Sequence, residues 1–472
     1  MNSIDLAFTT ATEQARLIRC KEISPLDLIE VYLERIQRLN LSLGSYVVVA
    51  ADLAIADAKT KTELLVHTPA EELPAFFGVP ISVKDLNPVI DLPCAYGVKI
   101  LKNRIATEDD GVVTKLKQAG FVILGKTATS EMGMLPYTEA RGFAPARNPW
   151  SLEHTPGGSS GGAAAAVAAG LCAIAQASDG GGSVRGPAFC CGLVGIKPSR
   201  GRISYAPVGE RLNGLATNGS IGRTVADAAA LLDVMAGYVS GDPYWLPNPE
   251  RSFFEATQTS PKRLRIAYCT AILPVGEADE NCRQAILSTA TLLEKLGHFV
   301  EAKDFVDVSE LIEPFTTVFQ AVLNEVGIPE LFLGKMSRWF AWRARFCSSG
   351  KYLRAVARLQ AIARQIVEFF DTVDVLIVPT YMHPAIRVGE WAKDRPEKTL
   401  KNIVNWIAPC PPFNASGQPA IALPTGFTTE GLPVGVQLVG RPAEEATLIA
   451  LAAQIEAAQP WSHHRPAFAV QE

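Results

Sequence analysis

Apolar positions along the chain switch repeatedly between a helical period and a strand period. After Ser24-Pro25-Leu26-Asp27, the residues Leu28, Val31, Tyr32, Ile36 and Leu39 fall three or four apart, one face of a helix running to Asn40. The residues before them form an N-terminal cap: a side-chain acceptor, a residue with no N–H to satisfy, and an acid at the positive end of the helix dipole. A short strand over 46–50 and a helix over 52–65 follow. Gly78-Val-Pro-Ile-Ser-Val83 reads as a strand that delivers Lys84-Asp85 at its end. Next come a helix over 111–119, a strand over 121–124 and a helix near Ser130. A small-residue helix over 163–169 leads into a strand over 172–177. Further helices are predicted over 225–235, 280–296 and 444–457, and strands over 264–268, 298–302, 373–378, 419–423 and 434–439. This alternation predicts an α/β fold around a largely buried sheet. No internal repeat or low-complexity linker divides the chain, so residues 1–472 read as one domain. Residues 242–263, rich in Pro and polar side chains, read as a surface excursion, and 242–400 is the stretch where pattern is weakest.

Composition narrows the function classes. With 48% hydrophobic and 19% charged residues in 472, the chain has ample material for a buried core and is not disordered. A formal charge of −4 with no Lys/Arg block argues against nucleic-acid binding. The longest weakly polar run, Ala163 to Ala177, is 15 residues of mostly alanine, short of the ~20 that span a bilayer. The first residues lack a basic segment followed by an apolar one, so no secretory signal is expected. Nine cysteines without a framework fit a reducing, cytoplasmic setting. There is no CxxC and no HExxH, so neither a metal nor another cofactor is expected.

Three motifs invite chemical readings. Gly120-Phe-Val-Ile-Leu-Gly125-Lys126-Thr127 spells a phosphate loop, but such a loop must follow its strand, and here Phe-Val-Ile-Leu is the strand. Gly157-Gly158-Ser159-Ser160-Gly161 spells the nucleophile elbow G-x-S-x-G. An elbow needs a strand directly before its serine, and the preceding segment, Asn148 to Pro156, is loop-forming. The third cluster is far more specific. Thr155-Pro-Gly-Gly-Ser159-Ser160-Gly-Gly is followed by Ser178-Asp179-Gly180-Gly181-Gly182-Ser183-Val184-Arg185, with Ser159 and Ser183 lying 24 residues apart. Glycines free backbone N–H groups to converge on an anion, and each loop carries a hydroxyl beside them.

These two blocks, together with Ser82-Val83-Lys84-Asp85, resemble the amidase signature family. Gly195-Ile-Lys-Pro-Ser199 with Gly201-Arg202, Gly417-Gln-Pro-Ala420 and Gly431 to Arg441 support the likeness, which runs from about residue 5 to 467, with its signature core at about 70–205. The resemblance implies a single large α/β domain whose mixed central sheet carries helices on both faces. It also implies a cofactor-free Ser–cis-Ser–Lys triad that hydrolyses amides through an acyl-enzyme. Carried over, Ser183 is the nucleophile, Ser159 the bridging serine and Lys84 the base. Gly180, Gly181 and Gly182, with Ser183, supply the oxyanion amides, Asp179 and Arg185 hold that loop, and Ser160 is a supporting hydroxyl. Serine needs a base to become a nucleophile. A free lysine, with a pKa near ~10.4, is neutral only about once in a few thousand molecules at pH 7, and burial between Val83 and Leu86 would lower that pKa.

The resemblance is nearer to stand-alone amidases, including the nylon-oligomer hydrolases, than to the A subunit of glutamine-dependent amidotransferases. That subunit tends to carry Thr at 180 and Gln at 186, where this chain has glycine at both. The expected partner is a small-molecule amide, linear or cyclic, with a homodimer the one assembly entertained. The A subunit, which works with partner subunits, is the alternative. The missing side chain at 180 is expected to widen the floor beneath a bulky or apolar acyl group.

Overall fold

A computed structural model describes residues 2–471. Its spine among these residues is an eleven-stranded sheet. The strands are β1 (Tyr46–Val49), β2 (Pro80–Lys84), β3 (Val122–Thr127), β4 (Ile174–Asp179), β5 (Val194–Lys197), β6 (Thr217–Gly222), β7 (Arg265–Tyr268), β8 (Phe299–Ala302), β9 (Val375–Pro379), β10 (Ala420–Phe427) and β11 (Pro433–Gly440). They lie in the order β1-β3-β2-β4-β6-β5-β10-β11-β9-β7-β8. The trios β3-β2-β4 and β9-β7-β8 are parallel and the strands between them antiparallel, so the sheet is mixed.

Both faces are covered. Successive side chains of a strand point to opposite faces. Val375 and Ile377 of β9 accordingly join one apolar core, whereas Leu376 and Val378 join another. The helices that matter for the site are α1 (Pro25–Leu43), α2 (Gly161–Ala168), α3 (Arg185–Cys191), α4 (Ile312–Val326), α5 (Lys335–Arg345), α6 (Ser349–Glu368) and α7 (Pro396–Ile407). Helix α1 begins with the predicted capping box between Ser24 and Asp27. It ends at Gly44, whose φ is +58° and where a Cβ would meet the Pro145 carbonyl oxygen at 2.6 Å. Every residue of α2 is buried. Its small residues let the backbone come close: a Cβ on Gly162 would lie 2.4 Å from the Ala128 nitrogen.

Most predicted elements stand within a few residues of their expected ends, and the single α/β unit with its mixed, doubly covered sheet is the architecture found. Three differences matter. The helix expected near Ser130 is one 3-10 turn, Glu131–Gly133, in which Met132 has φ +52°. The Glu131 carboxylate there accepts from the Gly334 N–H at 2.8 and 2.9 Å. The strand expected to stop at 124 continues to Thr127, because Gly125, Lys126 and Thr127 pair with both β1 and β2. Finally, β5, β6, α3 and the helices α4 to α7 went unpredicted. The 242–263 excursion is mostly exposed and irregular, interrupted by the short helix Phe253–Ala256.

Candidate active site

Lys84 is the last residue of β2 and is fully buried. Its Nζ lies 2.8 Å from Ser159 Oγ, 3.1 Å from Ser178 Oγ and 3.2 Å from the Ser178 carbonyl oxygen. Burial pushes its pKa down to about 7, with the Asp179 charge pulling the other way. At that pKa the amine is neutral in a large fraction of molecules near neutrality, and the Ser159 hydroxyl can then donate to it. Ser159 follows a cis peptide bond with Gly158. The segment is pinned by Thr138, whose hydroxyl donates to the Gly157 carbonyl at 2.9 Å and accepts from the Gly161 N–H at 3.2 Å. The Ser130 N–H donates to the Ser159 carbonyl at 3.3 Å. Ser160 donates to the Ser178 carbonyl at 3.2 Å, so it ties the two loops together.

The second loop is organised by one carboxylate. Asp179, ending β4, accepts from the N–H groups of Gly182 at 2.7 Å and Val184 at 3.1 Å, and from the Arg185 guanidinium at 2.8 and 2.9 Å. Burial alone would raise the Asp179 pKa; Arg185, Lys197 and Asn414 outweigh it and hold the carboxyl below its usual range. Arg185 is in turn satisfied by Gln437 Oε1 and Asn414 Oδ1, each at 2.6 Å, and by the Cys410 carbonyl at 3.1 Å. This network corrects one expectation: the Gly182 amide is taken by Asp179. Among the described residues, the N–H groups of Gly180, Gly181 and Ser183 have no protein acceptor. Three amides of the loop, not four, are thus left out of its internal hydrogen bonding.

Ser183 is 9% exposed, and its hydroxyl bonds no protein group among the described residues. It lies where two cavities meet. The first has about 940 Å³ of empty space and an apolar wall drawn from α4 (Phe315, Phe319), α5 (Phe340) and α7 (Leu400, Ile403). The second, of about 1060 Å³, holds Ser159 and Ser178 and is edged by Asn87, Tyr96 and Arg211. Ser159 faces only the second.

The glycines at 180 and 186 have specific occupants. A Cβ on Gly180 would lie 3.1 Å from Leu212 Cδ1 and 3.4 Å from Phe319 Cε2. The room expected beneath the acyl group is thus filled by those side chains, and the apolar space lies beside the loop instead. At Gly186 a Cβ would lie 1.8 Å from the Tyr381 hydroxyl oxygen. Tyr381 also reaches the Gly158 carbonyl at 3.5 Å, so this buried ring joins α3 to the loop that carries the cis bond. Sequence reasoning missed Tyr381, Asn414 and Gln437. Ser178 stood in the quoted block without a role.

Neither the phosphate loop nor the nucleophile elbow is formed. Lys126 is buried in the strand and pairs with Asp85 at 3.2 Å. Ser159 is preceded by loop, and among the described residues no histidine lines either cavity. No cluster of His, Cys, Asp or Glu among them could hold a metal, and no helix is long and apolar enough to cross a membrane. Cys269, Cys282 and Cys410 are packed in the core.

The profile of the family described as Amidase matches residues 27–449. A protein of Synechocystis sp. that bears an amidase name is 51% identical over 96% of this chain and 89% of its own length. The 6-aminohexanoate-cyclic-dimer hydrolase of Paenarthrobacter ureafaciens is 34% identical over 99% of this chain and 98% of its own. A solved structure of a 6-aminohexanoate cyclic dimer hydrolase with substrate superposes with a TM-score of 0.91 at 32% identity, covering 98% of this chain and 99% of that one.

Proposed function

This chain belongs to the amidase signature family and hydrolyses amide C–N bonds, and we propose that it does so through a serine acyl-enzyme built on Ser183, Ser159 and Lys84. Neutral Lys84 takes the Ser159 proton as Ser159 takes that of Ser183. The Ser183 oxygen then adds to the substrate carbonyl. The amides of Gly180, Gly181 and Ser183 receive the oxyanion, a contribution that is preorganised because Asp179 and Arg185 fix the loop beforehand. As the tetrahedral intermediate collapses, the C–N bond breaks and Ser159 returns a proton to the departing nitrogen. Water repeats the sequence on the acyl ester and releases the carboxylate. The observation that carries this reading is the buried Lys84 amine 2.8 Å from Ser159 Oγ.

The same proton path orients the substrate. The leaving nitrogen must face Ser159, which lines the second cavity only. The acyl group therefore belongs in the apolar cavity. Together with the likeness to proteins named for a cyclic amide of six-carbon units, this favours a linear or cyclic amide with an apolar methylene acyl part. The buried Tyr381 ring occupies the space a Gln at 186 would need, which counts against the amidotransferase A-subunit alternative. The purified chain alone should hydrolyse such amides. After fluorophosphonate treatment, mass spectrometry should find the adduct on Ser183, and Ser183→Ala should reduce turnover to background with the fold intact. An adduct on Ser159 would overturn the assignment.

A further inference from the structure

The wall of the second cavity carries two guanidinium groups, those of Arg104 and Arg211, against a single acid, Asp110. Arg211 is half-buried and Arg104 exposed. Both also line a further hollow of about 830 Å³, so they stand where the second cavity continues outward. Among the described residues neither side chain has a hydrogen bond or an ion pair. The acids around them are engaged elsewhere. Glu210, next to Arg211 in the chain, accepts from the N–H groups of Asn213 and Gly214 at 3.1 and 2.6 Å. Asp109 pairs with Lys117 at 2.7 Å and accepts from the Ile90 N–H at 2.8 Å. Asp110 accepts from the Val112 N–H and from Asn87 Nδ2, each at 3.2 Å. Glu108 lines only the outer hollow and pairs with neither arginine. The turn that presents Arg211 is itself held under strain. Leu212 and Asn213, the next two residues, have φ +56° and +53°, a conformation that side chains other than glycine adopt at a cost, and the Glu210 carboxylate pins it.

We infer that Arg211, with Arg104 outside it, is a specificity residue that receives a carboxylate on the leaving amine, so that the preferred substrates are N-acyl amino acids. A guanidinium meets a carboxylate through two parallel N–H···O bonds, and an unpaired one keeps its donors free for that purpose. Such a substrate is an open-chain amide, because closing it into a ring would consume the carboxylate. The inference rests on the proposed orientation, which puts the departing nitrogen and what it carries in the second cavity.

The test uses hexanoyl amides of straight-chain ω-amino acids, the spacer being lengthened one methylene at a time, each against the isostere that ends in a primary carboxamide. Wild type should prefer the carboxylate by about tenfold or more in kcat/KM at one spacer length, and the preference should shrink as salt is raised. In Arg211→Gln it should fall to about twofold or less. Arg211→Lys should keep part of it, since the charge stays and the fork is lost. Arg211→Glu should reverse it, favouring the hexanoyl amide of the matching diamine, whose far end is an ammonium. Each readout is a ratio between two substrates in one preparation, so a loss of folded protein does not imitate it. A wild-type ratio near one at every length, or an unchanged ratio in Arg211→Gln, would overturn the inference while leaving the amidase reading intact. Half-amides of dicarboxylic acids carry the carboxylate on the acyl part instead, and a preference confined to them that depends on Arg211 would refute the orientation. A wild type that hydrolyses none of these amides and takes no fluorophosphonate would sink the proposed mechanism as well.

Discussion

Lys84 shows how much chemistry one burial can impose. Its amine must be neutral to accept a proton, and desolvation brings its pKa down to about 7. Below that value the ammonium predominates and cannot act as a base; above it the free amine predominates. The kcat/KM of wild type should therefore climb about tenfold per pH unit on the acid side and level off above roughly 7, the midpoint belonging to the coupled Lys84–Ser159–Ser183 group. Lys84→Ala should lose about 10²–10⁴ of the rate, and Lys84→Arg should not restore it, since guanidinium keeps its proton. A profile in Lys84→Ala that still rises through 7 would remove lysine as the base. Ser159 and Ser183 were legible in the sequence because they lie in short blocks of glycine and hydroxyl side chains, and Lys84 because it stands at the end of a strand-forming run. Tyr381 was not: no motif surrounds it, and only the folded chain brings it against Gly186 and the Gly158 carbonyl.

Helix α3 and strand β6 show the same contrast one level up. β6, Thr217-Asn-Gly-Ser-Ile-Gly, has no run of β-branched or aromatic residues, so propensity does not predict it. Its small side chains are what its central position demands: a Cβ on Gly219 would lie 2.4 Å from the Ile196 carbonyl oxygen. Capped helices such as α1 were read correctly because their signals are local. Helix α3 is set by a tertiary contact, the approach of Tyr381 to Gly186. Gly186→Ala should accordingly destabilise the fold by about 1–3 kcal/mol or more, as overpacking does. Gly186→Ala combined with Tyr381→Ala should recover part of that loss. Thermal and urea melts of the three variants measure it, and a single variant as stable as wild type would mean that the ring yields freely.

For the whole molecule, the sheet's strand order was beyond the sequence, since six of its ten neighbouring pairs join sheet strands that are not consecutive along the chain. The apolar cavity beside Ser183 was equally hidden. Its wall comes from helices more than 100 residues beyond Ser183, and their apolar faces follow the same period as ordinary core. Its depth predicts that kcat/KM rises with acyl length, by up to roughly fourfold per methylene until the wall is reached, in EDTA and without ATP. A flat response across acetyl to octanoyl anilides would exclude this cavity as the acyl site. The meeting of two cavities at Ser183 has a kinetic consequence. On the proposed acyl-enzyme path, the amine departs by its own side while the acyl group stays seated, so an incoming nucleophile finds a vacated berth and competes with water. Hydroxylamine should therefore divert turnover to the hydroxamic acid, and the ratio of hydroxamate to carboxylate should be the same for every substrate sharing an acyl group, whatever amine it shed. The enzyme, once acylated, keeps no record of its leaving group.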